Sequence, residues 1–204
     1  MAIDTLPASP AGQITHDDVR EKINELVNFI NPIYINAVRT QDETNNISVV
    51  GTGLDTLWPP ATPQPLTGGN YEGYVKVGNL DNSKSVGMTL VNGNDETGAA
   101  LDMCDMTVPV NGTYRVDGFT TFAHPTNNST VAFVFAVEFG GVYSFSQRPI
   151  KHDMPNGSGH ANLAGEGILP VPAGAILSMW CASDNSGSIG FDTLSVIVAK
   201  FAEL

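Results

Sequence analysis

From about Gly69 onward, apolar and polar positions alternate in short runs set apart by Gly, Asn, Asp, Ser and Pro. The runs are "YEGYVKVG", "KSVGMTLV", "DMCDMTVPV", "GTYRVDGFTTFA", "STVAFVFAVEFGG", "VYSFSQRPI", "ANLAGEGILPV", "AGAILSMWCAS" and "SIGFDTLSVIVAKF". A period of two puts successive side chains on opposite faces of a strand. Eight or nine such runs, with no helical period among them, predict an antiparallel sandwich or barrel.

The alternation also sorts faces. Val131, Phe133, Phe135, Val137 and Phe139 share one side of their strand, and Ala132, Val134, Ala136 and Glu138 the other. In the last run Leu194, Val196 and Val198 oppose Ile197, Ala199 and Phe201. A sandwich strand in a monomer usually keeps one wet face, whereas these two are nearly dry on both. Something has to cover the second face, either a neighbouring subunit or the chain's own N-terminal segment. Val134, Ala136, Val196 and Val198 are accordingly expected on strand faces buried between copies.

A different period governs "THDDVREKINELVNFINP". Thr15 is placed to cap a helix, with Asp17 and Asp18 in the first turn, where carboxylates suit the positive end of the helix dipole. Asn31-Pro32 ends it, because proline lacks the amide and disfavours a helical residue before it. Val19, Ile23, Leu26, Ile30 and Ile33 step by fours and threes and draw a narrow apolar seam. That seam fits a helix lying on its own domain or a short oligomeric bundle, and the spacing does not set the number of strands. Three segments result: an arm and helix over 1–35 for attachment or trimerisation, an extended Pro-rich connector over 36–68 around "WPPATPQPL", and a β-sandwich over 69–204.

Composition narrows the partners. The chain has 204 residues, 42% of them hydrophobic, which is enough for a core and argues against disorder. Its net charge of −12 comes with only nine Lys and Arg, no three of them clustered. Such a chain cannot neutralise a phosphate backbone or grip an anionic bilayer, so no nucleic acid and no membrane are expected as partners. The start "MAIDTLPASPAGQ" has neither basic nor apolar leader regions, so no secretory signal is expected, and no apolar run approaches the roughly 18–20 residues of a membrane span. Cys104 and Cys181 sit among strand residues and are expected as buried free thiols.

A signal for the start of a strand occurs twice. "MTVPVNGTYRVDGFTTF" and "ILPVPAGAILSMW" each place an apolar-Pro pair, then a Gly turn, then an alternating strand. Proline removes a ladder donor, so pairing starts only after the glycine. Pro109, Gly112 and Tyr114, with Pro172 and Gly174, are thus expected at sharp corners where strands begin. "VPVNGTYRVDGFTTF" resembles the Gly-x-Tyr-x-apolar strand of C1q- and tumour-necrosis-factor-like jelly rolls. "LPVPAGAILSMWCA", with the final strand "GFDTLSVIVAKF", is similar to that family's last two strands. Gly112, Tyr114, Gly174, Ile176, Leu177 and Phe191 take the matching positions. Ala175 stands where many members have an acid, and the final strand lacks the family's Phe-x-Gly.

The resemblance covers residues 70–204 and implies a mainly β, antiparallel jelly-roll sandwich after a short helix, assembled as a homotrimer. It favours a three-stranded bundle for the seam of Val19, Ile23, Leu26 and Ile30. Short helix, stiff proline segment and trimeric jelly roll together resemble bacteriophage capsid decoration proteins and head fibres. The partners implied are further copies of the chain and a major capsid protein or another virion protein. The place implied is the capsid surface, after synthesis in the host cytoplasm.

The chemistry-bearing residues do not compete with that reading. "HDMPNGSGH" gathers His152, Asp153, Ser158 and His160, but it lacks the Gly-x-Ser-x-Gly elbow and the ligand spacing of a zinc site. "VNGNDETG" and "NLDNSKS" do not follow a calcium-loop pattern, and no P-loop or dinucleotide fingerprint occurs. No enzyme activity, catalytic residue, metal or cofactor is expected. The function expected is a structural virion protein; the alternative is a receptor-binding tip module of a tail fibre or spike.

Overall fold

The structure, a computed structural model, describes residues 17–23, 33–40, 46–49, 51, 64–65, 73–124, 128–145, 150–154 and 160–202. The chain divides into two compact units, 1–33 and 34–204. In the first, residues 17–23 form a helix, α1. An Asp17–Arg20 ion pair of 3.2 Å spans one of its turns. Val19 and Ile23 lie on α1 with their side chains about half exposed, while Leu26 and Ile30 fall outside the described residues.

The described strands all belong to the second unit. The first seven are β1 (Tyr34–Thr40), β2 (Ile47–Val49), β3 (Gln64–Pro65), β4 (Val75–Lys76), β5 (Asp81–Val86), β6 (Thr89–Asn94) and β7 (Ala100–Thr107). The rest are β8 (Gly112–Ala123), β9 (Thr130–Phe139), β10 (Val142–Phe145), β11 (Ile150–Asp153), β12 (His160–Val171), β13 (Ile176–Ser183) and β14 (Gly187–Ala202). One sheet runs β12-β8-β14-β1-β5, with β2 also on β14; the other runs β3-β10-β9-β13-β7-β6, with β11 on β9 and β4 on β13. All these strand pairs are antiparallel.

The expected connector over 36–68 is not wholly a connector. Tyr34–Thr40 and Ile47–Val49 pair with β14 and β5 and belong to the sandwich, so the boundary between units falls at Tyr34 rather than Gly69. The reason is visible in β1, where Ile35, Ala37 and Arg39 alternate inward. Arg39 takes an apolar position because its guanidinium donates to the Gly78 carbonyl at 2.8 Å and lies 5.4 Å from the centre of the Phe191 ring. A buried charge thus disguises a strand.

Between the sheets, Tyr114, Val116 and Phe122 of β8 and Leu194, Val196 and Val198 of β14 are buried, as are Phe133, Leu177, Met179 and Cys181 of the other sheet. The Phe122 and Phe133 rings meet edge to face at 5.2 Å, and Phe133 and Phe191 lie 5.9 Å apart. Gly118 of β8 and Gly165 of β12 form a cross-strand pair. A Cβ on Gly118 would sit 2.9 Å from Phe135 Cζ, and one on Gly165 would overlap Ile150.

The two proline-glycine corners are tied to each other. Gly174, with φ of +80°, donates to the Val108 carbonyl at 2.8 Å, and Val108 donates to Ala175 at 2.9 Å. The Asn111 side chain accepts the Ala173 amide at 2.7 Å. Pro109 and Pro172 lie in these links, outside β8 and β13, where a missing amide costs no ladder bond. β8 begins at Gly112, and two residues on the buried Tyr114 hydroxyl donates back to the Val110 carbonyl at 2.9 Å. Burial pushes that phenol above its usual range. Tyr114→Phe should therefore lower stability by about 1 kcal/mol without changing the fold, read by urea unfolding.

Candidate functional site

The strand faces expected between copies lie inside the chain itself. Val196 and Val198 are fully buried in the inter-sheet core. Val134 and Ala136 lie on the opposite face of β9 from Phe133, and they form a buried cluster with Tyr74, Trp180 and Ala182. The Trp180 indole donates to Ser178 Oγ at 2.8 Å. Of the two coverings that the dry strands allowed, the chain's own residues, Tyr74 among them, bury the second face of β9. The expectation that Val134, Ala136, Val196 and Val198 meet other copies is corrected accordingly.

For β14 the open side is the one carrying Ile197 and Phe201. Alternation groups residues by side but does not tell which side meets the partner sheet. In the structure Phe119 is 49% exposed, Ile168 54%, Ile197 40% and Phe201 67%, and they fall on three neighbouring strands, β8, β12 and β14. Register sets them close: Arg115 pairs with Ile168 and Ala199, Asp117 with Ile197, and Phe119 with Ala164. This is the outer face of the five-strand row. A shallow groove of about 430 Å³ runs along it, lined by Phe119, Ala164, Ser195 and Ile197, with Asp117 and Glu166.

A compact charge cluster lies across the apolar surface. Arg115 donates through Nε to Asp117 at 2.9 Å and through a terminal nitrogen to Glu166 at 3.0 Å. The hydrogen-bonded Asp117 carboxylate, and then the charge of Glu166, hold the guanidinium above its ordinary range. Toward the start of β12, His160 Nδ1 meets the Asp192 carboxylate, and Thr121 donates to Asn162 at 2.6 Å. The face therefore has polar ends to its apolar patches, the mixture of greasy centre and hydrogen-bonding rim found at protein interfaces.

The residues of "HDMPNGSGH" separate. His152 packs its ring edge-on to Phe122 at 6.1 Å, and Asp153 accepts from Thr130 Oγ at 2.7 Å. His160 pairs with Asp192 instead, and Ser158 is outside the described residues. Among the described residues no three His, Cys, Asp or Glu side chains gather as metal ligands. Cys104 and Cys181 are buried and unbridged. Burial pushes the Cys104 thiol up to about 12 and raises Cys181 as well, so neither is a nucleophile at neutral pH. Alternation along the chain put Ile197 and Phe201 on one side of the last strand, but it did not single out Phe119 and Ile168. The usable signal was Tyr114: once its side chain points inward, Arg115, Asp117 and Phe119 must point out.

No family model matches the chain, and no curated protein matches it in sequence. Solved structures do match in shape. A TNF protein from S. frugiperda, Eiger, superposes with a TM-score of 0.51 at 11% identity, over 84% of this chain and 95% of that one. Murine APRIL gives 0.47 at 12% identity, over 82% and 99%. The globular domain of zebrafish complement 1qA gives 0.43 at 10% identity, over 83% and 96%. The similarity to the Eiger structure, with the two antiparallel sheets described above, establishes a TNF-like jelly-roll fold.

Proposed function

We propose that this protein is a non-enzymatic structural module that assembles as a homotrimer through the outer face of β12, β8 and β14. The observation that carries the reading is the exposed quartet Phe119, Ile168, Ile197 and Phe201 on one sheet face. Apolar area removed from water contributes about 25 cal/mol per Å², and contiguous exposed patches of this kind mark interaction sites. A TNF-like fold supports a role of assembly.

The setting we propose is a bacteriophage particle, with the jelly roll displayed on the capsid and residues 1–33 as the attachment or bundling element. The division into a small N-terminal unit and a sandwich supports this layout. Quantitative mass spectrometry of purified particles tests it: the chain should be present in copy numbers divisible by three, and its absence would sink the setting.

Assembly is tested separately. Light scattering on the wild-type chain should give a trimer at micromolar concentration. Ile197→Glu, which places a carboxylate in the apolar face at a cost of several kcal/mol when buried, should give a monomer with an unchanged circular-dichroism spectrum. A wild-type monomer, or a variant that remains trimeric, overturns the reading.

A further inference from the structure

We propose that Lys76 and Asp105 become covalently joined, through an amide between Lys76 Nζ and Asp105 Cγ that forms within the folded chain with loss of one water. The two residues are brought together by β4 and β7 on the eight-strand sheet. Lys76 Nζ lies 2.5 Å from Asp105 Oδ1, and the two side chains are 0% and 6% exposed. That separation is shorter than the ~2.7–2.9 Å of charge-assisted hydrogen bonds. The approach is also outside hydrogen-bond angles, since Asp105 Oδ1 has no hydrogen-bond partner despite this neighbour. Cγ is one covalent bond from Oδ1, so the amine lies close to the carbon it would attack.

The surroundings hold both groups still. Lys76 Nζ also donates to the Asn94 carbonyl at 3.2 Å, and the Lys76 amide donates to Glu96 Oε2 at 3.2 Å. The Trp180 ring centre lies 5.9 Å from Nζ, over the same buried patch. On the far side of the carboxyl, Gly93 leaves room for nothing more. A Cβ there would overlap Asp105 Oδ2 and sit 2.9 Å from Cys104 Sγ. Reacting groups pinned at contact distance gain effective molarities on the order of 10⁵–10⁸ M.

Each step balances without an outside reagent. One proton first passes from the ammonium nitrogen to the carboxylate, which gives a free amine and a carboxylic acid. The amine nitrogen then attacks Cγ and a C–N bond forms. The C–O bond to the hydroxyl breaks, and the hydroxyl leaves as water with a proton from the nitrogen. Nothing is oxidised or reduced. The product replaces two buried charges with a neutral amide, and exclusion of water from the site opposes the reverse hydrolysis.

The test is the intact mass of the purified full chain under denaturing conditions. The wild type should fall short of its sequence mass by one water. Trypsin should fail to cut after Lys76, leaving the peptide through Lys76 attached to the one carrying Asp105. Lys76→Arg should restore the full mass, and Asp105→Asn should lose ammonia in place of water. A wild type at full mass with two separate peptides overturns the proposal, and so does a deficit that persists in Lys76→Arg. The peptide map is read on the wild type, so it decides the matter even where a variant folds poorly. Neither result depends on the oligomeric state.

Discussion

Lys76→Met should cost about 3–5 kcal/mol of folding free energy, among the largest single losses the molecule can show. Both partners of the pair are buried, and removal of the cation strands the Asp105 carboxylate where water cannot reach it. The loss is felt whether the two side chains meet as ions or as an amide, because either way Asp105 is left charged and without its cation. Guanidinium unfolding monitored by tryptophan fluorescence measures it. The double change Lys76→Met with Asp105→Leu should recover part of the loss, since matched apolar side chains tolerate that site better than half an ion pair. A single-variant cost below about 1 kcal/mol would mean that the pair behaves like an exposed one.

Phe122→Ala should cost a comparable ~3–5 kcal/mol for a different reason. The ring is fully buried between the sheets, edge-on to Phe133 at 5.2 Å and against His152 at 6.1 Å. Its removal leaves a cavity that β8 cannot close, because Ala161 and Phe191 beside it are fixed by register on β12 and β14. Thermal unfolding of the variant should begin many degrees below the wild type with the fold otherwise unchanged. If the melting temperature stays within a degree or two, the sandwich has repacked and the core is less rigid than its geometry says.

Much of the sandwich is legible in the chain because the long strands β8, β9, β13 and β14 are locally consistent, with alternation, a turn residue and β-branched or aromatic side chains pointing to one answer. The glycine that opens β8 and the Tyr114 two residues on are readable for the same reason. β1 is not, since its inward row contains Arg39, and only the distant Gly78 carbonyl and Phe191 ring make that position acceptable. The assembly face is half legible. Alternation separates Val196 and Val198 from Ile197 and Phe201, but the choice between the two sides is made by Phe133 and Phe135, which arrive from the other sheet. Lys76 and Asp105 carry no mark at all. Their meeting depends on β4 and β7 both docking on β13, which short-range pattern cannot express.

The last strand of the domain, β14, lies in the middle of its sheet, between β8 and β1. Until β14 has been made, β8 and β1 have no ladder partner between them. Completion of that sheet must therefore wait for β14 to emerge, and a nascent chain stalled before Gly187 offers two unpaired strand edges to its neighbours on the same messenger.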